Sequence, residues 1–139
     1  MTTVTDTSQL VVCALGDEEY GLPVGQVREI VRYTEPRPVA SDVPWMRGVI
    51  SLRGRLVPVH DLAARLGLAT ADATVSPPLD AKLVIVETAD EPVGVLVDDV
   101  VEVLTIDASQ LEDVPSGSGQ IARVGDRLVL LLDGEELGS

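Results

Sequence analysis

Residues 19–31 read EYGLPVGQVREIV, and residues 92–104 read PVGVLVDDVVEVL. Laid side by side at an offset of 73, Gly21, Val24, Val27 and Glu29 fall on Gly94, Val97, Val100 and Glu102. The apolar positions agree as well: Leu22 meets Val95, Ile30 meets Val103, Val31 meets Leu104, and the run Leu10 to Cys13 meets Leu83 to Val86. Further along, Arg55-Leu56-Val57 and Asp61 return as Arg127-Leu128-Val129 and Asp133 at an offset of 72. Agreement in three blocks at nearly one spacing marks an internal duplication. Two short copies are too few for a solenoid, which needs three or more stacked repeats, so two small β units packed together are expected.

Composition narrows the class. With 139 residues, 45% of them hydrophobic, the chain suits one compact domain or two subdomains sharing a core. No apolar run approaches the length of a membrane span, and residues 1–8 lack the basic start and apolar stretch of a signal peptide. A cytoplasmic protein with a flexible residue 1–8 segment and no direct membrane insertion is therefore expected. Cys13 is the only cysteine and lies in an apolar run, which excludes an internal disulfide and a cysteine zinc cluster. The net charge of −13 opposes a phosphate backbone, so nucleic acid is not an expected partner. Between Arg28 and Arg65, however, seven arginines face four acids, a balance of +3 in a chain whose remainder carries −16. Arginine suits interfaces better than lysine does, so this segment is a candidate partner-facing patch.

The chain reads as a series of short strands. Residues 9–15 and 19–24 form a hairpin around Gly16-Asp17, and the spacing of Val24, Val27, Ile30 and Val31 predicts a short helical turn before a strand near Ile30 to Tyr33. Pro36, Pro38 and Pro44 break residues 34–46 into a connector that presents Trp45. Gly48 to Leu52 and Leu56 to Val59 turn at Arg53-Gly54, and Asp61 caps a short helix that Gly67 stops. A linker at about 68–81 separates the first repeat, about 9–67, from the second, about 82–137. In the second repeat, Ser109 to Gly119 reads as a loop, and a hairpin around Gly125-Asp126 closes the chain. Many short strands with little helix indicate a mainly β protein, with barrels the usual way to remove exposed edges.

Catalytic constellations are missing from this pattern. His60 is the only histidine and sits within a strand-like run, so packing is favoured over a role as general base. Lys82, the only lysine, follows no phosphate-binding glycine loop, and Ser118 lacks the residues of a nucleophile elbow. Asp17-Glu18-Glu19 and Asp98-Asp99 lack the alternating oxygen spacing of a calcium loop. A non-enzymatic binding module with no cofactor is expected. Its surface candidates are Arg53, whose charge is costly to bury, and Trp45, for which a place against the core is weighed against an exposed anchor.

The ordered blocks Leu15 to Gly21, Val24, Val27, Glu29 and Ile30, Trp45 to Gly54, Val57 to Leu62, Val93 to Asp98 and Leu128 to Asp133 resemble the CheW family of chemotaxis coupling proteins. The resemblance runs from about residue 9 to residue 137. It implies two five-stranded SH3-like β-barrel subdomains around a shared core, with short helices. It also implies an adaptor that joins the cytoplasmic tip of a methyl-accepting chemoreceptor to the regulatory domain of a CheA-type histidine kinase at membrane-associated receptor arrays. Under it, Val27 and Glu29 stand at receptor- and coupling-related positions, and Arg53 at the arginine of the family's Asn-Leu-Arg-Gly motif, with Glu29 and Arg53 expected to pair near the groove between barrels. Gly48, Val49, Gly94 and Val97 are interface or barrel-shaping positions. Ser51 departs from the motif's Asn, His60 from an aliphatic residue, and the Leu-rich helix with which relatives often end is shortened, so a reduced kinase-side surface is expected. The alternative is a reduced module of an accessory motility pathway that binds only receptor or only kinase.

Overall fold

The computed structural model describes residues 7–68, 77–115, 119–133 and 137. Of the expected flexible residues 1–8, Thr7 and Ser8 already belong to a strand, while residues 1–6, most of the linker (69–76), Ser118 and the last residues other than Leu137 lie outside the described ones. The described chain is mainly β. Its strands are β1 (Thr7–Leu15), β2 (Glu18–Pro23), β3 (Val27–Arg32), β4 (Met46–Leu52), β5 (Arg55–Asp61), β6 (Lys82–Val86), β7 (Val93–Val97), β8 (Asp99–Asp107), β9 (Leu111–Asp113), β10 (Gln120–Val124) and β11 (Arg127–Leu131). One short helix, α1 (Leu62–Arg65), follows β5.

These strands form two sheets, one in the order β8-β1-β2-β11-β10-β9 and the other β3-β6-β7-β5-β4. They correspond to the two expected SH3-like barrels, the first extended by a sixth strand. The duplication explains the order once the copies are matched. At the repeat offset β1, β2, β3, β4 and β5 correspond to β6, β7, β8, β10 and β11, and each sheet then consists of the hairpin of one copy flanked by three matching strands of the other, with β9 added at the edge of the first. Register follows the same rule: Val12 opposite Gly21 returns as Ile85 opposite Gly94, Ile50 opposite Val57 as Ala122 opposite Val129, and Val59 opposite Gly94 as Leu131 opposite Gly21.

The two expected β units do not coincide with the two copies of the repeat. Had β3 paired with β1 of its own copy, it would run parallel to β2 in the same sheet, and parallel strands require a crossover of about a dozen residues or more. Only the 3-10 turn Val24–Gln26 separates β2 from β3, and only Asp98 separates β7 from β8. Each chain segment therefore passes straight into the neighbouring sheet.

Exchange of hairpins also accounts for the continuously apolar runs. Leu10 and Val12 point into one barrel with Ile106, Ala122 and Val129, while Leu83 and Ile85 point into the other with Val57, Val59 and Leu96. The alternate residues, Val11, Cys13 and Leu15 from β1 and Val84 and Val86 from β6, meet in a third core that forms the seam between the barrels. Side chains on successive strand positions face opposite ways, so a hairpin packed on both faces must be apolar at every position. At about 1.5–3 kcal/mol for each fully buried aliphatic side chain, the two central hairpins supply the largest share of the hydrophobic stabilisation.

Several local expectations meet the structure directly. Asp61 caps α1 by accepting from the Ala64 N–H, and Gly67 beyond it has φ 71. The helical spacing after Val24 extends no further than Gln26, for β3 is already extended at Val27 and carries Ile30 on its exposed row. Part of the expected Ser109 to Gly119 loop is ordered structure: Asp107 and Gln110 form a reciprocal capping box around a 3-10 turn, Ala108–Gln110, and β9 follows.

Candidate functional site

The second barrel is open at the end where β3 meets the β4–β5 turn. Along β3, exposure alternates: Val27, Glu29 and Val31 are half-buried, and Arg28, Ile30 and Arg32 face out. A register shift against β6 between Val27 and Glu29 marks a bulge, which redirects the Glu29 side chain locally. Arg53 and Gly54 occupy the two-residue turn between Leu52 and Arg55 with φ values of 53 and 81. Both positive values fit the mirror-image turn that matches strand twist, a conformation in which Arg53 is held at some cost and Gly54 at none.

Glu29 and Arg53 meet across this opening, as expected from the resemblance. The Arg53 Nη2–H donates to Glu29 Oε1 at 2.8 Å and Nε–H donates to Oε2 at 3.1 Å, a two-pronged pair with Arg53 itself 71% exposed. The hydrogen bonds from Arg53 hold the Glu29 carboxyl below the usual carboxylate range; partial burial opposes this, and the charges of Arg53 and Arg28 add to it. Because β3 and β4 are the two outer strands of their sheet, the pair ties its opposite ends together. Beside it Arg28 bonds Glu87 at 2.8 Å, and a shallow pocket opens between Glu29 and Arg53, floored by Val57 and Ile85 and edged by Arg55 and Pro92.

The other expected interface positions divide. Val27 packs against the seam core, and Val49 is bound through its backbone to Arg37, which accepts at 2.9 Å and donates at 2.8 Å. Gly48 is buried with φ 142, and a side chain there would collide with the Arg37 carbonyl, so its role is to admit a close backbone approach. Of the two roles expected for Gly94 and Val97, interface or barrel-shaping, their placement fits the second. Both are buried in β7, Val97 at 0% exposure, because β7 lies inside its sheet with packed cores on both faces; their contribution is barrel packing.

Around the barrel's other side, Trp45 is half-buried under the Arg65 guanidinium, whose carbon lies 4.7 Å from the ring centre. That contact draws Trp45 towards a covering role. Below it, Asp61 accepts from Arg47 Nε at 3.0 Å while capping α1, in a pair whose side chains are only 17% and 11% exposed. His60 is buried, with Nδ1 3.1 Å from the Leu137 carbonyl oxygen; burial lowers its pKa, the hydrogen bond to Leu137 opposes that, and the Arg65 charge adds to it. Burial pushes the Cys13 thiol up to about 12, which leaves it unreactive. Among the described residues no group of three or more His, Cys, Asp or Glu side chains is placed to hold a metal ion, and no helix is long and apolar enough to cross a membrane.

Sequence reasoning did not single out Arg55. Its signal was the repeat itself, which aligns Arg55 with Arg127 but sets Pro92 where the other copy has Glu19.

Comparison with known proteins agrees with this geometry. A family model described as a CheW-like domain matches residues 9–139. A probable chemotaxis protein CheW of Rhizobium etli is 33% identical over 125 residues, covering 90% of this chain and 78% of that protein. Protein PilI of Pseudomonas aeruginosa is 34% identical over 91 residues, but these span 62% of this chain and 46% of PilI. Among solved structures, the scaffolding protein TtCheW of Thermoanaerobacter tengcongensis superposes with a TM-score of 0.80 at 29% identity, over 89% of this chain and 87% of that one. With its exchanged hairpins, its paired Glu29 and Arg53 and a family match that spans both barrels, the chain belongs to the CheW-like domain family.

Proposed function

We propose that this chain is a non-enzymatic coupling adaptor of chemotaxis signalling, joining a chemoreceptor's cytoplasmic tip to the regulatory domain of a CheA-type histidine kinase beneath the membrane. The observation that carries this reading is the family match over residues 9–139, which takes in both barrels and the seam between them. Two faces on one rigid body suit an adaptor, since each barrel can engage a different partner while the shared core fixes their spacing. Weak contacts suffice in an array, where effective concentration replaces single-site affinity and micromolar binding, about −8 kcal/mol, is adequate. The Glu29–Arg53 pair then serves to position a charged group at the open barrel end, because exposed ion pairs add little to stability.

Reconstitution tests the reading. Receptor-bearing membranes and the CheA-type kinase of the same organism are expected to show raised, attractant-sensitive autophosphorylation only when this chain is added. Kinase activity that ignores the chain, with the chain folded, would remove the adaptor function. A second reading, a module of an accessory motility pathway that binds one partner alone, draws on the partial likeness to PilI. Binding of only the receptor fragment or only the kinase domain would favour it.

A further inference from the structure

Arg127 and Arg55 are the same position of the repeat, each the first residue of the strand after a two-residue turn. Their surroundings differ. Arg127 is clamped by two carboxylates, with Nε donating to Glu19 Oε1 at 3.0 Å and Nη1 paired with Glu102 Oε2 at 2.8 Å. At the repeat offset, Glu19 becomes Pro92, and Glu102 becomes Glu29, whose two oxygens are already held by Arg53. Arg55 is thus an exposed guanidinium with no ion-pair partner among the described residues, at the edge of a pocket floored by Val57 and Ile85. Beside it Leu56 is 70% exposed.

We propose that this barrel end is a docking surface for an acidic protein segment, one presenting a carboxylate next to an aliphatic side chain, and that Arg55 is the residue that reads the carboxylate. The proposal rests on the adaptor reading and names the chemistry of the partner's contact. Charge complementarity selects the occupant. Three arginines, Arg28, Arg53 and Arg55, line this end against Glu29, with Glu87 paired to Arg28, in a chain of net −13, so an acidic partner is drawn to this end and repelled elsewhere, which orients the encounter. A planar guanidinium binds a carboxylate through two parallel hydrogen bonds, which a lysine cannot reproduce. The aliphatic neighbour would cover Leu56 and the Val57–Ile85 floor.

The test is calorimetric titration of the full chain, as wild type, Arg55→Lys and Arg55→Glu, into the CheA-type regulatory domain and separately into a receptor-tip fragment, at low and at high salt. With one of the two probes, Arg55→Glu is expected to weaken binding about tenfold or more, Arg55→Lys by less, and the salt dependence of the wild type to flatten in Arg55→Glu. Melting temperatures of all three are expected to coincide. Wild-type binding that neither variant changes would overturn the proposal and leave the adaptor reading standing. A folded wild type that binds neither probe would overturn both. Self-association of the chain abolished by Arg55→Glu, with probe binding intact, would make a second copy the occupant and contradict the proposal.

Discussion

The three strands β3, β4 and β5 and their counterparts β8, β10 and β11 share one register, yet their outer faces differ in chemistry. Along β3 the exposed row is Arg28, Ile30 and Arg32; along β8 it is Val101, Val103 and Thr105. Inside, the same comparison shows restraint, with Val57 opposite Ile50 in one barrel and Val129 opposite Ala122 in the other, Val57 and Val129 both buried. Packing constrains an interior position in both copies, whereas an exposed one is free to take the charge a partner requires. One barrel end has become cationic around Arg53 and Arg55. The other has a clamped Arg127 with Asp17, Glu18 and Asp126 nearby.

The largest break in the comparison is at Gly48, whose counterpart is Gln120. A side chain at Gly48 meets the Arg37 carbonyl from a backbone conformation few L-residues adopt, and Gly48→Ala is expected to destabilise by roughly 2–4 kcal/mol. Gln120→Ala lies at an exposed strand start and is expected to stay within about 0.5 kcal/mol. Urea melts of the two variants check the difference; equal losses would mean that the close approach of the connector does not matter.

Next comes the arginine pair. Arg127→Ala removes the bridge from β11 to both β2 and β8 and is expected to cost about 1 kcal/mol, a few degrees in Tm, with the effect reduced at high salt. Arg55→Ala, by contrast, breaks no pair and should leave Tm unchanged. Thermal scans of both proteins at two salt concentrations measure the gap between them.

A smaller effect separates His60 from its counterpart Leu132. Burial keeps His60 neutral in the folded protein, with its pKa below the ordinary value of 6.5. The unfolded chain therefore binds the proton first as pH falls, so this contribution is fully present above about pH 6.5 and declines as pH drops from there towards the folded pKa. His60→Leu should remove that component. Melts of both proteins from about pH 8 to about pH 5 would show the wild type losing more stability than His60→Leu in the lower part of this range; parallel curves would assign the pH dependence to other groups.

Much of this architecture is legible in the sequence because it rests on short-range chemistry. The turns at Gly16-Asp17, Arg53-Gly54 and Gly125-Asp126, the Asp61 cap and the Gly67 stop each follow from a local conformational demand. The Glu29–Arg53 pair follows from the family resemblance and is formed in the structure. Exchange of hairpins is less visible, since no residue pattern states which sheet a strand will join; the clue was the brevity of the β2–β3 and β7–β8 connections. Val24, Val27, Ile30 and Val31 suit helical spacing, and the extended backbone from Val27 onward shows tertiary pairing with β6 overriding that local pattern. For Gly94 and Val97 the sequence leaves interface and barrel-shaping roles open, because a strand buried on both faces has no alternation to tell its sides apart.

The most direct test of the coupling role is calorimetric titration of the chain, as wild type and as Arg53→Ala, against the regulatory domain of the CheA-type kinase and against the receptor-tip fragment. Micromolar binding of both by the wild type is expected, with weaker binding by Arg53→Ala and melting curves of the two that nearly coincide. A well-folded wild type that binds neither, or an Arg53→Ala protein that loses stability and keeps full affinity, would contradict that role.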